Sequence, residues 1–232
     1  NRKSQSRVGK SVDVIDNSIF EEYKPLMLTD AIHNVPGVYV KRLNGISGLT
    51  TIRIRGARSI DTKLLYNGIP LQDPSDPQGS SNPLIGDLLA DVYSLEILKG
   101  ASSSTWGSEA IGGVVNIVPK KGCCVEGVRL TGEYGSYDTF KERVEVRAKG
   151  FYGGITRLDS DGFDAHEEYG NSSANFNYLL TPSDRLSMEF SGLYSNTRAA
   201  LNDSPIISGG VLVEDVDDLD DKREYEILHG GV

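Results

Sequence analysis

LEILKGASSSTWGSEAIGGVVNIV, residues 95–118, is the stretch from which the rest of the chain can be interpreted. Its apolar opening ends at Lys99-Gly100, and its β-branched end, Val114–Val118, directly follows Gly112-Gly113. This order predicts two short strands joined by a compact turn of small residues. Paired glycines immediately before a buried strand indicate a close backbone approach, or φ values that a side chain would forbid.

The charge of the chain changes just after this stretch. The 232 residues have a formal net charge of −9. Residues 1–121 carry 14 Lys+Arg against 12 Asp+Glu, net +2, and residues 122–232 carry 10 against 21, net −11. We therefore expect two domains, 1–121 and 122–232. Neither half has the basic stripe of a nucleic-acid-binding protein, no window is apolar enough for a spanning helix, and no signal-peptide pattern opens the chain.

Short strands and helices are predicted upstream of residue 50. Val12–Ile15 and Val38–Val40 have the pattern of strands, a brief helix is expected over 18–23, and an amphipathic helix begins at Thr29. Pro36-Gly37 ends that helix.

The segment Thr51–Gly56 alternates apolar and charged residues with period two. As a strand it places Ile52 and Ile54 on one face, and Arg53 and Arg55 on the other. The apolar face is expected in a core.

Two loop signals follow. Asn67-Gly68, after an apolar run, is the strongest hairpin signal in the chain. Residues 71–83 hold three prolines together with Gly, Ser and Asp, and a loop of this length indicates binding.

Four motifs in the first half resemble, in order and spacing, the successive motifs of the plug domain of TonB-dependent outer-membrane receptors, with cobalamin-type receptors nearest. They are LTDAIHNVPGV (28–38), IRIRG (52–56), LLYNGIPL (64–71) and LEILKG…WGSEAIGGVVNIV (95–118). The resemblance implies a small α+β domain that sits inside a β-barrel. The family keeps a TonB-contacting box near the mature N-terminus, and Asn1-Arg2 resembles the sequence just after it, so we expect the box upstream.

From Gly127 the chain has segments of about ten residues with alternating hydrophobicity, which is typical of transmembrane β-strands. About six segments are predicted, centred on residues 128–134, 144–148, 151–158, 175–180, 185–194 and 224–227. The expected fold is therefore an α+β plug domain followed by antiparallel transmembrane strands of an incomplete barrel. About 22 strands are the reference for a plugged barrel, and open edges cannot face lipid, so we expect the front part of a larger receptor.

The resemblance implies a transporter of the bacterial outer membrane that imports a scarce nutrient or metal chelate, such as a siderophore or cobalamin. Its partners would be TonB of the inner membrane, outer-membrane lipid and the small-molecule ligand. The ligand would bind at the outward apex of the plug, on two loops whose polar residues are Asn44, Ser47, Thr50, Gln72, Asp73, Asp76, Gln78 and Ser80.

Arg53, Arg55 and Arg58 are the candidate contacts between plug and barrel. The resemblance implies that they face carboxylates on the inner wall, where the strand pattern places Glu133, Glu145 and Glu189. The alternative is a solvent-facing strand edge.

The acidic run at residues 214–221 has two interpretations. It misses the EF-hand pattern, so it can be a solvated loop. Alternatively it forms a Ca²⁺ site with the preceding outside loop, for which Asp164, Asp215 and Asp217 are the candidates, since oxygen-rich clusters suit calcium. No other cofactor is expected.

Two further classes of protein remain as alternatives. A soluble β-rich ligand-binding or adhesion module without transport would carry charges on its outer sheet face, whereas Val144, Leu186 and Phe190 have the pattern of lipid-facing positions. An enzyme is not expected, because the sequence has no G-x-S-x-G elbow, H-E-x-x-H pair or P-loop.

Overall fold

The structure is a computed structural model. It describes residues 11–42, 46, 50–71, 92–122, 126–162, 168–183 and 186–200 with their side chains, and the backbone of 206–208, 211–214 and 222–231. Two main sheets organise these residues, one in each half of the chain.

The described residues of the first half form seven strands, three short α-helices and a 3-10 turn at Ser59–Asp61. The strands are β1 Ser11–Asp16, β2 Val38–Arg42, β3 Thr50–Ile54, β4 Thr62–Tyr66, β5 Ile69–Pro70, β6 Val92–Lys99 and β7 Gly113–Pro119; the helices are α1 Asn17–Tyr23, α2 Leu28–Ile32 and α3 Ser103–Trp106. Five of the strands form one sheet in the order β1-β6-β7-β4-β5, and β2 pairs with β3 separately. Only the β4–β7 pair in that sheet is parallel.

The stretch 95–118 forms the centre of this sheet. Leu95 pairs with Ile117 across the antiparallel β6–β7 ladder, and both side chains are fully buried. A Cβ at Gly113 would lie 2.4 Å from the Leu98 carbonyl oxygen, and one at Gly112 would lie 2.6 Å from the Ala57 Cβ. The predicted pair of strands, and the close approach at the paired glycines, are confirmed.

Both predicted helices form, and each begins where a carboxylate accepts a backbone hydrogen bond. Asp16 accepts from the Ser18 N–H at 2.9 Å, and Asp30 accepts from the Met27 N–H at 2.9 Å. These bonds satisfy donors that a helix start leaves open. Leu28 and Ile32 of α2 are buried in the core of the sheet.

The β2–β3 hairpin differs from the prediction at its end. Ile52 and Ile54 are buried and Arg53 is exposed, as period two requires. The strand ends at Ile54, however, and Arg55 has φ 53°, with its N–H donating to the Gly37 carbonyl at 2.7 Å. The strand pattern therefore does not orient Arg55, because the chain has already turned.

The second half forms an antiparallel sheet of six strands, as predicted. They are β8 Gly127–Tyr134, β9 Phe140–Ala148, β10 Phe151–Ser160, β11 Tyr169–Ser183, β12 Leu186–Ala200 and β15 Lys222–Gly231, in the order β15-β12-β11-β10-β9-β8. A separate hairpin joins β13 Ile206–Ser208 and β14 Val211–Glu214. No helix of the described residues is long and apolar enough to cross a membrane.

The two faces of this sheet differ in character. One face is apolar and open, with Val128 67%, Leu130 74% and Ile155 62% exposed. The other face carries buried polar groups such as Asn171 and Asn177 and lies against the first half of the chain. This is the alternation of a barrel wall, with an apolar outer surface and a polar inner surface.

Candidate functional site

The candidate site is the contact between the first-half domain and the polar face of the six-stranded sheet. Its most buried charged group among the described residues is Glu145 of β9, whose side chain is only 1% exposed. Glu145 Oε1 accepts hydrogen bonds from Lys120 Nζ at 2.8 Å and from Tyr152 Oη at 2.7 Å. Lys120 directly follows β7, so this pair joins the end of the central sheet to the wall.

A second wall carboxylate, Glu189 of β12, lies where the hairpin of the first domain meets the wall. It accepts hydrogen bonds from Lys121 Nζ at 2.5 Å, Asn177 Nδ2 at 2.8 Å and Asn67 Nδ2 at 3.0 Å. Asn67 is in the two-residue β4–β5 turn, with φ 50° followed by Gly68 at φ 82°. Positive φ at both positions is the geometry that Asn-Gly favours, and it presents the Asn67 amide to the wall.

Hydrogen bonds continue from this turn into the central sheet. The Gly68 N–H donates to Asn116 Oδ1 at 2.9 Å, and Asn116 Nδ2 donates to Glu96 Oε2 at 3.2 Å. The turn that contacts Glu189 is thus held by the two central strands, β6 and β7.

Apolar contacts hold the opposite side of the domain. Met27 packs in a cluster with Leu158, Tyr169 and Ala199 of the wall. Beside it, Lys141 Nζ donates to the Leu26 carbonyl at 2.9 Å.

Leu193 of the wall joins the core of the first domain, where it is 3% exposed. The seat of the domain therefore combines a few apolar anchors with charged and amide contacts. A further ion pair, Arg129 to Glu21 at 3.0 Å, is about half exposed on both sides and contributes little.

The predicted arginine contacts are not among those that the structure describes. Arg58 binds Asp61 of its own domain in a two-pronged contact, with both N···O distances 2.9 Å. This hydrogen-bonded pair lowers the pKa of Asp61 below its ordinary value. Arg53 and Arg55 are exposed and form no ion pair within the described ranges. A contact of either with a wall segment beyond these strands stays a prediction.

Two of the three wall carboxylates expected to face arginines, Glu145 and Glu189, are held by lysines instead. Glu145 binds Lys120 and Glu189 binds Lys121. The sequence contained a signal for this contact. Lys120 and Lys121 lie at the boundary between a half of the chain with net charge +2 and a half with net charge −11. From the sequence this signal indicates a boundary between domains and not a contact, because the neighbours of the lysines in space are distant in sequence.

Most apex-loop and calcium candidates lie outside the described residues. They are Asn44, Ser47, Gln72, Asp73, Asp76, Gln78 and Ser80 of the apex loops, and Asp164, Asp215 and Asp217 of the outside loops. Thr50 is described, and it is 6% exposed at the start of β3. Asp159, a neighbour of the calcium candidates, binds Arg157 at 2.6 Å. Within the described part of the chain no three His, Cys, Asp or Glu side chains are grouped as metal ligands.

Comparisons with known proteins agree with this architecture. Residues 4–114 match the TonB-dependent Receptor Plug Domain family. The chain is 30% identical over 201 residues to an iron-regulated outer membrane virulence protein of Vibrio cholerae, a match that covers 77% of this chain and 30% of that protein. It is 27% identical over 193 residues to the vitamin B12 transporter BtuB of Vibrio vulnificus, covering 78% and 31% respectively.

A solved structure gives the same result for the fold. The ferric yersiniabactin uptake receptor FyuA from Yersinia pestis matches with a TM-score of 0.67 and 23% identity, over 85% of this chain and 33% of that chain. The chain spans about a third of the length of these relatives. The plug motifs, the antiparallel wall that holds the plug, and these similarities together identify residues 4–114 as a plug domain of the TonB-dependent receptor family, followed by strands that resemble those of the receptors' barrel.

Proposed function

We propose that the intact protein is a TonB-dependent transporter of the bacterial outer membrane, which imports a scarce nutrient or metal chelate. The observation that carries this proposal is the seat of the plug, where Lys120 and Lys121 bind Glu145 and Glu189 of the wall. Charge-assisted bonds are strong and geometrically specific, yet water can replace them when the plug moves. Such a seat suits a plug that is held closed and released on demand.

The outer face of the wall supports a membrane location over a soluble binding module. Leu130, Val144, Ile155 and Ala174 lie in one register row across β8 to β11, and the row continues to Tyr194 of β12. A continuous exposed apolar band of this kind is typical of a lipid-facing surface. The same band would make a soluble module aggregate.

The ligand class follows from the relatives. One is named an iron-regulated outer membrane protein and another a vitamin B12 transporter, so the proposed cargo is a siderophore-type chelate or cobalamin. We propose that the apex loops at residues 43–50 and 71–83 bind it, and that TonB supplies the energy from the inner membrane. The family is one of transport receptors and not of enzymes.

Calcium binding by the outside loops also stays a proposal. Asp164, Asp215 and Asp217 would provide the carboxylates, since hard oxygen ligands suit Ca²⁺. Calorimetry on the full-length receptor tests it, and a receptor that takes up no Ca²⁺ would leave these residues as a solvated acidic loop.

Uptake in cells tests the proposed function. The full-length receptor is expressed in a host that lacks its own siderophore and cobalamin receptors, and labelled ferric chelates and cobalamin are supplied one at a time. We expect uptake of at least one of them in cells with functional TonB, and background uptake in cells without TonB. A receptor that imports none of the panel in either host, or one whose uptake is independent of TonB, contradicts the proposal.

A further inference from the structure

Two adjoining cavities separate helix α1 of the plug from the inner face of strands β8 and β9. Their volumes are about 290 and 620 Å³, and Asn17, Glu21, Lys120 and Arg129 line both. They form one cleft, which we call the basic cleft. Its size is that of a small-molecule site.

Register places a run of charges on the inner face of β9, of which Arg143 and Arg147 line this cleft. Alternation along β9 turns Lys141, Arg143, Glu145 and Arg147 to the inner face. Arg129 of β8 lies directly opposite Glu145. Three cations and one carboxylate on a single strand leave positive charge in excess.

The charges of the cleft do not balance. Six cationic side chains line it, against the carboxylates of Glu21 and Glu133. Two more carboxylates, Glu145 and Glu189, bind Lys120 and Lys121. Six cations against these four carboxylates leave an excess of two positive charges in the described part of the site.

Arg143 forms no direct ion pair among the described residues, and its charge acts on Glu145 only at longer range. Its direct neighbours across both ladders are uncharged, Thr131 on β8 and Thr156 on β10. Its Nε is buried and has no hydrogen-bond partner within the described residues. Arg147 is 3.7 Å from Glu145 Oε2, too far for a hydrogen bond to a carboxylate that Lys120 already holds. Buried donors are normally paired, so the guanidinium group of Arg143 is suited to an acceptor that enters the cleft, where Arg147 also lines the wall.

We infer that the basic cleft is a second binding site of the receptor, for a compact multivalent anion whose carboxylate groups are held by Arg143 and Arg147. The planar guanidinium fork matches a carboxylate in two-pronged geometry. Two sources have this chemistry: a free polycarboxylate and an anionic metal chelate that passes along the wall. Only the second source rests on the proposed transport function.

Calorimetry on the full-length receptor in detergent tests this inference, with metal-free citrate as one probe and ferric citrate as the other. We expect citrate to bind the wild-type receptor, and Arg143→Gln to weaken that binding at least tenfold. Arg143→Lys keeps the charge but loses the fork, so its affinity should lie between the two. If ferric citrate weakens in parallel, the site takes the chelate; if only citrate weakens, it takes the free anion.

The matched control is Arg157→Gln, on the outer face of β10, where Arg157 pairs with Asp159. It should bind citrate like the wild type. Arg147→Gln provides a second variant, and unchanged heat-modifiable migration on gels shows that each barrel is folded. A wild-type receptor that does not bind citrate, or equal citrate affinity in wild type, Arg143→Gln and Arg147→Gln, overturns the inference. Neither result depends on transport, so the uptake experiment decides the proposed function separately.

Discussion

At the scale of single residues, the seat of the plug depends on carboxylates of the wall more than on arginines of the plug. Glu145 is nearly inaccessible and is surrounded by Lys120 at 2.8 Å, Arg147 at 3.7 Å and Arg129 at 3.9 Å. A buried carboxylate is tolerated only when cations and hydrogen-bond donors compensate for its lost hydration. Lys120 depends on Glu145 in the same way, because its side chain is only 12% exposed and its charge needs an anion as a partner.

We therefore expect Glu145→Gln in the full-length receptor to weaken the docking of the plug by about 3–5 kcal/mol, the usual cost of leaving one member of a buried pair alone. Hydrogen exchange of the β7 amides measures it. Glu142→Gln is the matched control, because Glu142 is on the same strand but faces outward and is exposed, and it should change docking by less than about 0.5 kcal/mol. Equal exchange in the two variants would contradict the role of Glu145.

At the scale of elements, the wall strands are matched in register so that polar and apolar rows cross the sheet intact. The next row of outward-facing residues lies two positions along each strand from the apolar row that contains Ile155. In it, Glu142 lies opposite Arg157, and Arg157 lies opposite Ser172. The next row of outward positions is therefore polar on three neighbouring strands, and it marks the outer limit of the apolar band. A slip of one residue in any strand would turn its polar residues to lipid.

Glycines in the apolar band leave space for aromatic rings of the neighbouring strand. A Cβ at Gly192 of β12 would lie 2.3 Å from the Phe176 ring, whereas one at Gly132 of β8 would meet nothing within 4 Å. We expect Gly192→Val to destabilise the barrel by about 1–3 kcal/mol, because the ring has to move or the strands have to separate. The temperature at which the receptor loses its heat-modifiable migration should fall in Gly192→Val. Gly132→Val should show a smaller change, and equal shifts in both variants would argue against this packing.

At the scale of the whole molecule, the plug is held differently on its two sides. The turn at Leu26–Met27 packs on an apolar patch of the wall, while the end of β7 and the Asn67 turn are held by charge and amide contacts. Separating the apolar contacts would expose apolar side chains to water, which is unfavourable. The contacts on the polar side can instead be replaced by hydrogen bonds to water. The polar side is therefore the part of the seat that is suited to open.

Replacing both Lys120 and Lys121 by Met tests this division. We expect passive leakage of small solutes through the full-length receptor to rise and TonB-dependent uptake to fall, because Glu145 and Glu189 lose their cationic partners. Heat-modifiable migration should stay normal, since it reports the barrel. Lys149→Met, in the exposed turn after β9, is the control. Wild-type leakage in the double variant would show that the plug is held by other contacts.

The sequence alone determined most of the fold, because its signals are local. Alternation with period two located the wall strands, Asn67-Gly68 located the hairpin, and Gly112-Gly113 located the close approach before β7. Each of these depends on the chain within a few residues, where side-chain direction and allowed φ values decide the outcome. Arg55 is an exception among these local predictions. The alternating pattern of residues 51–56 predicts a strand through Arg55, but the strand ends at Ile54 and Arg55 has a positive φ.

Only the tertiary structure decided which charges meet. The sequence predicted that Glu145 and Glu189 face inward, but it offered arginines of the plug as their partners, whereas the structure pairs them with Lys120 and Lys121. Lys120 and Glu145 are 25 residues apart, and Asn67 and Glu189 are 122 apart. Which of several like-charged side chains reaches a given carboxylate depends on how two separately folded sheets dock, and docking is set by shape and packing over the whole interface. No local pattern encodes that arrangement. The contacts of Lys120 and Lys121 with the wall, and the basic cleft, are therefore defined only by the docking of the plug against the wall.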